Sequence, residues 1–123
     1  MRKYIGNLAA VAVAAALVAG GALPARAHAV IVLASPTANE HVTAGKVAVH
    51  LEFNARIDKA RSRLHVMTPA GDKTDVPIDQ AEDPNVLTGT TADLTSGAYV
   101  LRWQVLAVDG HITRGDIPFV VGN

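Results

Sequence analysis

Two regimes of hydrophobic patterning divide the chain. From Leu8 to Ala19 the run LAAVAVAAALVA holds no charge and no alternation. Further on, apolar residues recur at every second position, the period of a strand with one buried face. Val47, Val49, Leu51 and Phe53 alternate with Ala48, His50 and Glu52. Ala98 to Val108 is the strongest such segment, with Tyr99, Leu101, Trp103 and Val105 on one face. Stretches rich in Val and Ile at His28 to Leu33 and at Ile112 to Val121 read as the first and last strands. Leu64 to Met67, Lys73 to Ile78 and Val86 to Leu94 add shorter ones, punctuated by Pro69-Ala70-Gly71-Asp72 and Ser96-Gly97. Thr37 to Gly45 reads as a polar loop, and Ala55 to Arg63 as a charged turn with a helical fragment. No amphipathic helix stands out. About seven short strands predict an all-β domain, an antiparallel sandwich or Greek-key barrel.

The uniform run near the start has a different meaning. Arg2 and Lys3 precede it, and Gly20, Gly21 and Pro24 break it. Ala25-Arg26-Ala27 then places small residues at the two positions a signal peptidase reads. Residues 1–27 are expected to be a secretory signal peptide, cleaved after Ala27. The run is too short for a comfortable transmembrane helix, which needs about 20 apolar residues. Arg2 is followed by Lys3, not a second arginine, which favours the general secretory route. The mature protein, residues 28–123, is expected to be periplasmic or secreted and not membrane-spanning.

Composition narrows the classes. The chain has 123 residues, half of them hydrophobic but only 4% aromatic, and no cysteine. One domain is expected. Disulfides, thiol redox chemistry, cysteine zinc sites and lipidated cysteines are excluded. The formal charge is zero, and loss of Arg2, Lys3 and Arg26 leaves eight basic residues against eleven acidic ones. No basic excess points to nucleic acid.

Cleavage makes His28 the amino terminus, joining a free α-amine and an imidazole in one chelating residue. His50 and His65 lie in strands and read as exposed strand histidines. His41, in a loop beside Glu40, reads as a solvated histidine, with approach to the amino terminus as the alternative. Asp109-Gly110-His111 differs, because residues two apart in extended backbone project to one side, and Gly permits a bend that converges them. Asp-Gly is also a strong turn signal, and by spacing alone an ordinary hairpin is the reading to prefer. Taken with His28, the triplet completes an amine, two imidazoles and a carboxylate, a set suited to tetragonal Cu(II). Zn(II) is a competitor. Met67 is the only methionine left after cleavage, which argues against a thioether Cu(I) site. Ser35, Ser62 and Ser96 have no nearby His and acid in sequence, and Asp79, Glu82 and Asp83 read as a solvated acidic rim.

Several features together resemble the CopC copper-resistance family of periplasmic proteins. They are His28-Ala29-Val30 after a signal peptide, Ser35-Pro36, the strand Tyr99 to Val105, Asp109-Gly110-His111, Gly115 and the closing Phe119-Val120-Val121. The resemblance implies a seven-stranded Greek-key β-barrel of immunoglobulin-like sandwich type. It implies one Cu(II) per chain held by His28, Asp109 and His111, with Trp103 in the core nearby. It implies a carrier or scavenger rather than an enzyme, with a CopD-type inner-membrane copper transporter as partner. Two departures stand out. The stretch Val66 to Lys73 holds a single methionine where some members have a methionine-rich loop, the mark of a Cu(II)-only protein. Ile112 also follows the triplet where many members have proline. The residues leave two other readings open: a copper-dependent oxidative enzyme built on an amino-terminal histidine, and a secreted, metal-free β-sandwich binding module.

Overall fold

The computed structural model describes residues 29–80 and 83–122. The signal-peptide segment, His28 and Glu82 lie outside them. Eight strands are present: β1 (Ile31–Ser35), β2 (Glu40–Val42), β3 (Ala48–Phe53), β4 (Ile57–Met67), β5 (Lys73–Asp75), β6 (Val86–Thr90), β7 (Gly97–Ala107) and β8 (Ile112–Val121). They form two open sheets, ordered β1-β3-β6 and β2-β8-β7-β4-β5. The sandwich half of the expectation holds. The closed barrel and the count of seven do not: among the described residues there are eight strands, and no strand pairing joins the two sheets edge to edge.

The extra strand comes from the segment read as a polar loop. Three residues, Glu40 to Val42, pair in parallel with Phe119 to Val121 at the edge of the larger sheet. A three-residue edge strand carries too few positions for period-two patterning to register. The Glu40 carboxylate accepts a hydrogen bond from the Thr37 amide at 2.9 Å, fixing the entry to the strand.

Ala55 to Arg63 likewise contains no helix. From Ile57 it belongs to β4, whose register against β7 shifts between Asp58 and Arg63. Ser62 is buried inside this irregularity. Its hydroxyl donates to the Asp58 carbonyl at 2.7 Å and accepts from the Leu106 amide at 3.4 Å. It thereby supplies hydrogen bonds that the disrupted ladder leaves open.

Alternation elsewhere maps directly onto burial. Val49, Leu51 and Phe53 of β3 face Tyr99, Leu101, Trp103 and Val105 of β7 in one core, with Leu51, Leu101 and Val105 fully buried. Burial of each such side chain contributes about 1.5–3 kcal/mol. Among the described residues all four aromatics are in this core. Phe53 meets Trp103 edge-on at 5.4 Å, and Tyr99 stacks on Phe119 at 5.8 Å. No helix among the described residues is long and apolar enough to cross a membrane.

Candidate metal centre

The longest continuous ladder in the molecule sets up the site. β7 and β8 pair from Gly97 and Val121 up to Leu106 and Ile112. The connection closes with the Gly110 amide donating to the Ala107 carbonyl at 2.9 Å and the Ala107 amide to the His111 carbonyl at 2.8 Å. Gly110 has φ of 96°, which an L side chain rarely adopts. This is a tight turn ending in a left-handed glycine. Asp109-Gly is therefore the hairpin turn that its spacing suggests.

The same turn also converges the two chemical groups. Asp109 Oδ1 accepts the His111 amide at 3.1 Å, and Asp109 Oδ2 lies 3.1 Å from His111 Nδ1. The imidazole stays more than half exposed. The His111 amide, ahead of its ring, holds the Asp109 carboxyl below its ordinary pKa. The sign follows: a carboxylate stabilised in the fold contributes above its unfolded pKa and loses that contribution as pH falls through the lowered folded value.

The chain enters at this end of the sandwich. Ala29 is buried, the Val30 amide donates to Asn54 Oδ1 at 2.8 Å, and the Asn54 amide donates back to the Val30 carbonyl at 2.9 Å. Two residues on, the Arg56 carbonyl accepts the Val108 amide at 3.3 Å. The connection through residues 54–56 thus ties the start of the described chain to the hairpin that carries Asp109 and His111. Nothing in the sequence marks Asn54 and Arg56 for this role; it depends on which loops share one end of the sandwich.

The remaining histidines fall elsewhere. His41 pairs in register with Val120, at the far end of β8 from His111. Nine residues of strand separate the two, roughly 30 Å, so His41 does not approach the amino-terminal entry. His50 lies 3.7 Å from Glu52, and His65 meets Asp75 across β4 and β5 at 2.8 Å. The latter pair depends on strand register, which residue spacing does not disclose. Asp79 and Asp83 serve loop hydrogen bonds to Thr88 and Asn85. Among the described residues, no three His, Cys, Asp or Glu side chains come together. Asp109 and His111 are a pair.

Trp103 and Thr113 line the interior below the turn. Trp103 pairs in register with Gly115, and its indole occupies the space a side chain there would need. Thr113, opposite Val105, has a buried hydroxyl without a hydrogen-bond partner among the described residues. An unsatisfied hydroxyl is destabilising by about 1–3 kcal/mol. Thr113→Val is therefore expected to raise the denaturant midpoint, by about 1 kcal/mol in stability, with an unchanged m-value. A lowered midpoint would show that the hydroxyl has a partner in solution.

An open two-sheet sandwich of eight strands, with its candidate ligands in an end loop, defines a small immunoglobulin-like β-sandwich domain. Residues 31–122 match the CopC domain, and the chain belongs to the CopC family. The crystal structure of CopC from Methylosinus trichosporium OB3b superposes with a TM-score of 0.69 at 34% identity, covering 76% of this chain and 93% of that one. Protein YobA of Escherichia coli K12 is 34% identical over 98 residues, 77% of this chain and 79% of YobA. Copper transport protein CutJ of Bacillus subtilis is 28% identical over 100 residues, 79% of this chain but 18% of CutJ. The chain thus spans about a fifth of the length of that relative. Membership of the CopC family argues against the oxidative-enzyme alternative.

Proposed function

We propose that the exported protein begins at His28 and binds one Cu(II) through the His28 amine and imidazole, Asp109 and His111. It holds copper in the periplasm for tolerance, or for delivery to an inner-membrane transporter of the CopD type. The observation that carries this reading is the Asp109–His111 contact of 3.1 Å, at the end of the sandwich where the chain enters at Ala29. Two donors about 2.0–2.1 Å from one ion and at right angles stand about 3 Å apart. The pair therefore already has the spacing of neighbouring ligands. His28 is one peptide step, about 3.8 Å between Cα atoms, before Ala29.

The donor set selects the ion. Amine and imidazole nitrogens with one carboxylate suit Cu(II), which also leads the divalent affinity order. The name of CutJ, a copper transport protein, supports carriage of copper over a metal-free binding module.

Asp109→Asn tests the carboxylate. Loss of an outer-shell partner of a metal ligand typically weakens binding about 10–100-fold, so loss of the ligand itself is expected to exceed about 100-fold. Cu(II) competition against a chelator reads this out, and an unchanged affinity would remove Asp109 from the site. Lowering pH acts in the same direction, because amine and imidazole bind metal only when deprotonated. Affinity is expected to drop at least ~100-fold from about pH 7.5 to about pH 5.5. A flat profile over that range would exclude nitrogen ligands of this kind.

A further inference from the structure

Charge is distributed unevenly over the sandwich. Residues 28–123 carry eight basic and eleven acidic residues. Strands β4, β5, β7 and β8 nevertheless hold six of the eight, Lys59, Arg61, Arg63, Lys73, Arg102 and Arg114, and only three of the eleven, Asp58, Asp75 and Asp116. The strands of the smaller sheet hold no Lys or Arg. An acidic chain thus gathers its cations on one sheet. Lys59 and Arg61 are engaged in the irregular part of β4, by the Asp83 carbonyl and the Asp58 carboxylate. The other four are exposed, and the register places them on the outer face of the larger sheet.

Two neighbouring rows cross that face, Asp75–His65–Arg102–Asp116 and Arg63–Gln104–Arg114. A cavity of about 390 Å³ opens there, lined by His65, Lys73, Arg102, Gln104, Arg114 and Asp116. Arg102 and Arg114 are diagonal neighbours on the β7–β8 ladder, roughly 7–8 Å apart, within reach of each other's long side chains. Each is tethered through one nitrogen. Arg102 Nε donates to Asp116 Oδ1 at 3.1 Å, and Arg114 Nε to Gln104 Oε1 at 2.7 Å. These tethers orient the two guanidinium planes and leave their terminal nitrogens as donors. Gln104 accepts through Oε1 and so keeps its Nε2 donors, and His65 Nδ1 is taken by Asp75 at 2.8 Å, which leaves Nε2. Cross-strand ion pairing accounts for Arg102 with Asp116. It does not account for Arg114, which meets a neutral amide, or for Arg63 and Lys73, which have no carboxylate within 4.0 Å among the described residues.

We propose that this cavity is a binding site for a phosphate group, held by the terminal nitrogens of Arg102 and Arg114, the Gln104 amide and the Lys73 ammonium, with Arg63 at its border. Four cations against the two carboxylates Asp75 and Asp116 leave the face positive, which selects an anion. The donors select its shape. Arginine forks match carboxylate and phosphate oxygens alike, but these donors come from three strands and converge from different directions. A carboxylate offers two oxygens in one plane, whereas a phosphate group offers three or four in a tetrahedron. No residue of this site belongs to the proposed copper site, and neither reading depends on the other.

The probe is inorganic phosphate, titrated at low ionic strength into the metal-free, 15N-labelled protein that begins at His28. The Nε–H signals of Arg102 and Arg114 and the Gln104 side-chain amide are expected to shift together and saturate with one Kd. Arg102→Gln and Arg114→Gln are each expected to weaken binding about tenfold or more, the loss that a hydrogen bond to a charged group implies. Lys46→Gln, which removes a cation outside this sheet, should leave it unchanged. All three variants should keep the wild-type Cu(II) affinity. The proposal is overturned if the signals drift without saturating, if acetate binds as tightly as phosphate, or if the arginine variants bind phosphate like the wild type. Two further arms identify the source of the group, and either supports the site. Saturable binding of phosphate and phenyl phosphate without sedimentation on phosphatidylglycerol vesicles assigns it to a free phosphate or monoester. Sedimentation with those vesicles, lost in both arginine variants, assigns it to a lipid headgroup.

Discussion

A chain that begins at His28 is expected to bind a single Cu(II) tightly, and a chain with one alanine added before His28 to bind it at least ~100-fold more weakly. The added residue converts the α-amine into an amide, which removes one nitrogen donor and breaks the chelate ring it forms with the imidazole. Asp109 and His111 remain in place, because the β7–β8 turn that holds them is independent of the amino terminus. The extension thus separates a site that needs the terminus from one that does not. Trp103 supplies the optical signal: it lies four residues below Ala107 on β7, roughly 13 Å of strand away, within range of quenching by a paramagnetic ion. Electron paramagnetic resonance should show a tetragonal, nitrogen-rich Cu(II) signal for the first form only. Equal binding by both forms would take His28 out of the site and leave Asp109 and His111 with no third His, Cys, Asp or Glu grouped with them among the described residues.

Gly115→Val is the substitution expected to damage the fold most directly. A Cβ at this position would overlap the six-membered ring and Nε1 of Trp103. The indole cannot retreat, since Phe53 packs edge-on against it at 5.4 Å. Overpacking of this kind is destabilising by about 1–3 kcal/mol, and with two β-branched methyls the upper end is expected. At about 4–8 °C per kcal/mol for a domain of this size, the melting temperature should fall by roughly 10–20 °C. Thermal unfolding followed by Trp103 emission measures it, and a fall of only a degree or two would mean that the Trp103–Gly115 packing is looser than described. Gly110 offers a contrast. No atom lies within 4 Å of where its Cβ would be, so Gly110→Ala is strained only through φ of 96°. That strain is worth about 1–2 kcal/mol, and it bears on the turn that spaces Asp109 from His111.

The two glycines also illustrate how far local sequence reaches. Asp-Gly before a strand-patterned segment announces the turn at Gly110, because the preference for positive φ belongs to the residue itself. Gly115 carries no such local signal. Its necessity arises from the residue opposite, and that depends on a ladder register of ten consecutive pairs. The same division explains the strands that were missed. Ile57 to Arg63 reads as charged and irregular because its register shifts and Ser62 mends the ladder with side-chain hydrogen bonds. Glu40 to Val42 is a strand only because β8 lies beside it.

What the sequence determined by itself is what period and residue chemistry encode locally. Alternation set the all-β class and the buried faces of β3 and β7. The Asp109-Gly110-His111 triplet set a turn with a carboxylate and an imidazole on it, and the combined motifs pointed to the CopC family. Only the tertiary structure decided that the sheets stay open, that β2 joins in parallel, and that His65 finds Asp75. It also decided that the entry at Ala29, the loop through Asn54 and Arg56, and the Asp109–His111 pair share one end of the sandwich. The physical reason is range: period and turn preference act over a few residues, whereas register and the meeting of loops are set by how two sheets close over one core.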